Sequence, residues 1–332
     1  MTNPLRIGIL GCAKINQVAI IDAARQVPEI ALAGIASRDA AKAEAYAREH
    51  GIAHAYESYE ALIADPTIEA IYNPLPNSMH LEWTSRALEA GKPVLCEKPI
   101  AANALEALEM AAAAKKAGLP LVEAFHYRYH PVAQRLTDIV RSGVLGKLEH
   151  IEAGFTIPGD RLKSDNIRFQ RRLGGGATMD VGSYCINILR LASGEEPHVV
   201  KAKADLVAPD VDRAMNVEFV FPGGYSGNLQ CSLAHDEYKS WLTVRGQKGK
   251  LHIDGPFMPQ RGHSLALTIG ERTSAEILDI TPTYVFQARE FVKVVREGLP
   301  IRTTVEDGVA NMRVIDAVYR AAGMSPRGSE RN

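Results

Sequence analysis

Apolar residues in the first 125 positions come in short runs separated by stretches of helical period. The runs are Leu5–Leu10, Ile30–Ala36, Ile68–Tyr72, Val94–Cys96 and Leu119–Val122. Short continuous apolar runs bounded by turn residues predict strands buried on both faces, where no polar alternation is needed. Between them, one helix is predicted after Asn77, with Trp83, Ala87 and Leu88 on one side. A second is predicted after Asn103, with Leu105, Leu108 and Ala112 repeating. Each has Asn at its N-cap and ends on a glycine two residues before a proline, at Gly91-Lys-Pro93 and Gly118-Leu-Pro120. Those residues suit the orphan donors at a helix start and the left-handed turn at its end. Strands alternating with helices predict βαβ units, so residues 1–125 read as a doubly wound parallel sheet of the Rossmann type, an α/β domain.

The rhythm changes after His130-Pro131. A helix at about Val132–Arg141 leads to a strand at Leu148–Phe155 and an Arg- and Lys-rich loop. Three glycines, Gly174–Gly176, precede a helix from about Ala177 to Leu191. Strands then follow one another without helices: Asn216–Phe221, Gly224–Leu233, Ser240–Arg245, Leu251–Ile253 and Ser264–Ile269. Phe221-Pro-Gly-Gly-Tyr225 is a hairpin signal. Two closing helices follow, the first opening at Thr281-Pro282 with Ala288, Phe291, Val292 and Val295 on one face. Residues 126–332 are expected to form an α+β domain on an open, mostly antiparallel sheet.

Composition narrows the function without choosing it. Among 332 residues, 38 Lys and Arg balance 39 Asp and Glu. That balance lacks the basic footprint of a nucleic-acid partner or an anionic membrane surface. The four cysteines, Cys12, Cys96, Cys185 and Cys231, are far apart and form no CxxC, which predicts neither a metal site nor a disulfide framework. No signal-peptide core follows Met-Thr-Asn-Pro, and a cytoplasmic protein is expected.

The turn after the first strand reads Gly8-Ile-Leu-Gly11-Cys-Ala13-Lys14-Ile15-Asn16. Gly11 allows positive φ and close approach of backbone to a pyrophosphate, and Ala13, Lys14 and Ile15 complete the candidate turn. Ala13 and Asn16 stand where G-x-G-x-x-G has its second and third glycines, so the position in a strand–turn–helix carries the argument. The second strand ends at Ser37-Arg38-Asp39. Ser37 occupies the place of the acid that holds an NAD ribose, and Arg38 and Lys42 suit a 2′-phosphate. NADP is favoured; Asp39 as a ribose ligand, and hence NAD, stays open.

Four segments together resemble the Gfo/Idh/MocA oxidoreductases: Gly8–Asn16, Tyr72-Asn-Pro-Leu-Pro-Asn77-Ser-Met-His80, Glu97-Lys98-Pro99 and Gly174-Gly-Gly-Ala-Thr-Met-Asp180-Val-Gly-Ser-Tyr184. The likeness covers essentially the whole chain and is strongest to the NADP-dependent branch of dihydrodiol, xylose and glucose–fructose enzymes. It implies that Pro74, Leu75, Asn77 and His80 line the nicotinamide side. It also implies that Glu97 and Lys98 lie at the nicotinamide, and that Asp180 and Tyr184 face Lys98 across a cleft. Asp180 and Tyr184 are spaced i, i+4, which puts both on one helix face. His126, where this branch often has Met, and Arg168, near the glycines, are expected at the substrate.

These readings combine into an NADP-dependent oxidoreductase acting on a secondary alcohol of a sugar, polyol or cyclic diol. Tyr184 would take the hydroxyl proton, the cationic Lys98 would favour phenolate, and Asp180 would orient the ring. No metal is expected, and a homodimer or homotetramer is implied by the resemblance alone. A non-catalytic NADP-sensing regulator, or a reductase of a non-sugar carbonyl or imine, remains a rival reading.

Overall fold

The computed structural model describes residues 3–163 and 165–328, which divide into two compact units. Among the described residues, the first contains 3–101, 105–126 and 282–309; the second contains 102–104, 127–163, 165–281 and 310–328. A single cut after residue 125 therefore misses a return of the chain, because the segment that opens at Pro282 packs with the first unit.

The first unit is built on a six-stranded sheet. Its strands are β1 (Leu5–Leu10), β2 (Ile30–Ala36), β3 (His54–Tyr56), β4 (Ala70–Asn73), β5 (Val94–Cys96) and β6 (Leu121–Glu123). The order is β3-β2-β1-β4-β5-β6, and every pairing is parallel. This is the doubly wound Rossmann order, whose direction reverses between β1 and β4. Strand β3 escaped the hydrophobic pattern because it is a short edge strand with two exposed residues.

The helices of this unit are α1 (Asp22–Ala24, after a π-helical turn Gln17–Ile21), α2 (Ala40–His50), α3 (Tyr59–Ala64), α4 (His80–Glu89) and α5 (Ala104–Ala117), whose first residue clusters with the second unit. Two sequence expectations need correction. Asn77 lies inside a 3₁₀ turn, Asn77–Met79, that leads into α4. Leu105 and Leu108 of α5 are exposed, and the buried face is Glu106, Ala107, Met110 and Ala114. The leucines were therefore a misleading guide to the buried face.

The second unit carries α6 (Pro131–Arg141), then β7 (Leu148–Pro158), then a π-helical turn Thr178–Gly182 running into α7 (Ser183–Ser193). The remaining strands are β8 (His198–Ala208), β9 (Val211–Val220), β10 (Ser226–His235), β11 (Lys239–Gly246), β12 (Gly249–Asp254), β13 (Ser264–Ile269) and β14 (Arg272–Glu276). They join in the order β14-β13-β12-β11-β7-β10-β9-β8, antiparallel except for β7 with β10. Helix α7 packs on β7 and β10. A shallow depression of about 420 Å³ on the sheet is lined by Lys201, Lys203, Glu218, Asn228 and Trp241. Helix α8 (Thr283–Glu297) belongs to the first unit, and α9 (Val305–Ala321) spans the return to the second. Among the described residues no helix is long and apolar enough to cross a membrane.

Candidate active site

In the first unit the turn after β1 is closed on itself. Gly11 has φ +88°, its N–H donates to the Ala36 carbonyl at 2.8 Å, and a Cβ there would stand 3.0 Å from Leu75 Cδ2. Both the conformation and the close neighbour call for glycine. Asn16, fully buried, donates through Nδ2 to the Gly11 carbonyl at 2.9 Å, so the residue in the third glycine's place ties the turn by its side chain. Ala13 and Ile15 are half-buried and Lys14 is exposed at this turn.

The end of β2 separates the two nucleotide readings. Ser37 is buried and its Oγ accepts from the Asp39 N–H at 3.3 Å. Asp39 in turn caps α2, its carboxylate accepting from the Lys42 N–H at 3.1 Å. The acid left open as a ribose ligand is thus engaged at the helix start, while Arg38 and Lys42 stand exposed. Two exposed cations at this strand end suit a 2′-phosphate better than a bare ribose diol. Tyr59, at the start of α3, was not foreseen. Its hydroxyl would lie 3.6 Å from a Cβ on Gly11, and its ring meets Trp83 edge-on at 4.7 Å. Burial pushes the phenol's pKa up, and the guanidinium of Arg38 lying against it works the other way.

Beyond β4 and β5 a buried network shapes the other half of this face. The Tyr72 hydroxyl, fully buried, donates to Glu97 Oε1 at 2.8 Å, and the Glu97 N–H donates to the Asn73 carbonyl at 3.0 Å. Pro74 and Leu75 are buried, Asn77 is half-buried, and Lys98 is half-buried ahead of a cis peptide bond to Pro99. His80 is fully buried. Its Nε2 lies 2.7 Å from the Leu75 carbonyl, and its Nδ1 lies 3.0 and 3.2 Å from the carbonyls of Pro99 and Ile100. Desolvation lowers its pKa to about 4. The ring therefore joins the loop after β4 to the loop after β5. His126 is also buried, with Nδ1 2.7 Å from Thr283 Oγ1 and its ring 4.0 Å from that of Tyr284. Thr283 and Tyr284 come from the returning segment; the sequence reading puts them and His126 in the second domain, whereas all three fall in the first unit.

In the second unit, Arg168, Asp180 and Tyr184 come together. Arg168 Nε donates to Asp180 Oδ2 at 2.5 Å. Asp180, and more weakly Tyr184, raise the guanidinium's pKa, so both acids lie near it. The i, i+4 pair sits on the π-helical turn and the first turn of α7, an irregularity frequent at functional sites. Tyr184 is mostly buried, its ring 5.2 Å from Phe257 and 5.7 Å from Phe155. Gly175 and Gly176 let this helix start pass the Arg168 loop: a Cβ on Gly175 would fall 2.6 Å from the Arg168 carbonyl. Among the described residues no three His, Cys, Asp or Glu side chains group as a metal site.

Comparison with known proteins finds likenesses over both halves of the chain. A family model described as an oxidoreductase family with an NAD-binding Rossmann fold, GFO_IDH_MocA, matches residues 5–125. Its companion, the GFO/IDH/MocA C-terminal domain, matches residues 133–252. A D-xylose 1-dehydrogenase (NADP(+)) of Haloferax volcanii is 36% identical over 96% of this chain and 97% of its own. A trans-1,2-dihydrobenzene-1,2-diol dehydrogenase of Sus scrofa is 33% identical over 67% of this chain and 65% of its own. Among solved structures, a 3-ketoreductase from Actinomadura kijaniata, in complex with NADP and TDP-benzene, superposes with a TM-score of 0.88 at 30% identity. It covers 96% of this chain and 98% of that one.

Proposed function

The chain belongs to the GFO/IDH/MocA oxidoreductases, and from that premise we propose that it uses NADP to interconvert a secondary alcohol and a carbonyl on a sugar. The observation that carries the substrate side is the Arg168–Asp180 ion pair beside Tyr184. A guanidinium and a carboxylate held together offer donors and an acceptor to neighbouring hydroxyls, which suits a polyhydroxylated ring. NADP supplies the hydride acceptor or donor through its nicotinamide. Gly11 and the turn to Ile15 would hold its pyrophosphate; Ser37, Arg38 and Lys42 would hold its 2′-phosphate.

In the oxidising direction Tyr184 accepts the substrate's hydroxyl proton, and Lys98 contributes positive charge that favours the phenolate. Asp180 and Arg168 orient the ring. Pro74, Leu75 and Asn77 wall the nicotinamide side together with Glu97. His80, with both ring nitrogens against backbone carbonyls, sets the shape of that wall, and His126, held by Thr283 and Tyr284, would meet the substrate. A free aldose is favoured over a cyclic diol because the xylose dehydrogenase is similar over nearly all of both chains. We place the protein in the cytoplasm, as a homodimer or homotetramer that pairs through the sheet of the second unit.

A panel of aldoses, inositols, trans-diols and a TDP-sugar, assayed with NADP and NAD in parallel, tests this. NADP-linked oxidation of an aldose such as D-xylose is expected to lead the panel. NADPH binding with no turnover of any member would favour the non-catalytic, cofactor-sensing reading instead.

A further inference from the structure

Behind the helix start that carries Asp180 and Tyr184 lies a fully buried ion pair for which the chemistry above has no use. Asp212, near the start of β9, and Arg327, close to the end of the described chain, both have zero exposure. Asp212 accepts four hydrogen bonds, which fills the lone-pair capacity of a carboxylate. Its Oδ2 takes the Thr178 N–H and the Thr178 hydroxyl, each at 2.7 Å. Its Oδ1 takes Arg327 Nη2 at 2.8 Å and the Tyr319 hydroxyl at 3.0 Å. Arg327 Nε then donates to the Gly175 carbonyl at 2.7 Å, and the guanidinium lies 4.1 Å from the centre of the Tyr319 ring.

Gly176 is explained by the same pair. Gly176 has φ +135°, and a Cβ there would fall 2.2 Å from Asp212 Oδ1 and 2.7 Å from the Tyr319 oxygen. The carboxylate stands where a side chain would be. Burying two charges gains little stability over apolar packing, because desolvation offsets their attraction. What the pair supplies is placement. Thr178 is the first residue of the π-helical turn, Asp180 lies two residues on, and Tyr184 is the second residue of the α-helix that follows. The Arg168 loop hangs from the same turn through the Gly176 N–H on the Arg168 carbonyl at 2.8 Å.

We propose that Asp212, braced by Arg327, is a positioning residue for the proton-transfer step: clamping both donors of Thr178 fixes Arg168, Asp180 and Tyr184 as one unit. The inference rests on Tyr184 as the proton-transferring group. Small displacements of such groups cost large factors in rate.

Thr178→Val removes one clamp donor at nearly constant volume, and Thr178→Ser retains it. Phe221→Leu, a core truncation outside the network, serves as a control for stability loss. The assay is steady-state turnover with NADP and the fastest sugar of the panel, with NADPH binding, thermal melting and Tyr184→Phe measured in parallel. In Thr178→Val, kcat is expected to fall about tenfold and its pH profile to shift, with NADPH affinity unchanged. Thr178→Ser should restore both, and Phe221→Leu should lower the melting temperature without touching either. Wild-type kcat and pH profile in Thr178→Val, with Tyr184→Phe slow, overturn the positioning role alone. The same fall in Phe221→Leu at equal loss of stability also overturns it. Full activity in Tyr184→Phe overturns the underlying reading and this inference with it.

Discussion

His80 gives the sharpest test of how the loops after β4 and β5 are held together, because its environment fixes both the sign and the size of a pH effect. The ring is fully buried and desolvation takes its pKa from 6.5 to about 4. Between those values the unfolded chain binds a proton that the folded protein refuses. The stability due to the neutral ring is therefore complete above pH 6.5 and drains away as pH falls toward 4. At pH 4.5 the loss amounts to about 2.5 kcal/mol from this one side chain. Urea unfolding of the wild type and of His80→Gln at intervals from pH 7.5 to 4.5 isolates it. Gln cannot titrate, so its deficit relative to wild type should shrink by about that amount across the range. Parallel curves would refute the argument. A gap that widens on acidification would mean that an imidazolium serves the carbonyls of Leu75 and Pro99 at once.

Three other outcomes follow from the cofactor face and the proposed proton transfer. Arg38→Ala should weaken NADP binding about tenfold, the low end for an exposed guanidinium on a phosphate, and leave NAD nearly unchanged by titration calorimetry. Gly11→Ala forces a Cβ against Leu75 at a φ that L residues avoid, and should cost about 1–2 kcal/mol in stability as well as most of the NADP affinity. Lys98→Met should cut turnover at least a hundredfold; combined with Tyr184→Phe it should add almost nothing, since both serve one proton transfer.

The Rossmann half was legible because parallel strands are written as unbroken apolar runs. β1, β2 and β5 fall on the predicted residues, and only the exposed edge strand β3 left no trace. The mostly antiparallel sheet was legible from successive strands and one hairpin. What could not be read were partners far apart in the chain. Tyr72 with Glu97, His126 with Thr283, and Asp212 with Arg327 are 25, 157 and 115 residues apart. A single polar residue in an apolar run gives no sign of which distant residue will satisfy it. Three consecutive glycines were the one local hint, since glycine at a helix start asks what occupies the space a side chain would take.

The central claim is that Tyr184 moves the proton while other groups hold NADP. It is tested most directly by turnover of Tyr184→Phe with the best sugar of the panel, alongside NADPH binding by fluorescence. Phe keeps the ring packed against Phe155 and Phe257 and lacks only the hydroxyl. A fall in kcat of about 10²–10⁴-fold with unchanged NADPH affinity is the predicted result; wild-type turnover in this variant would contradict it.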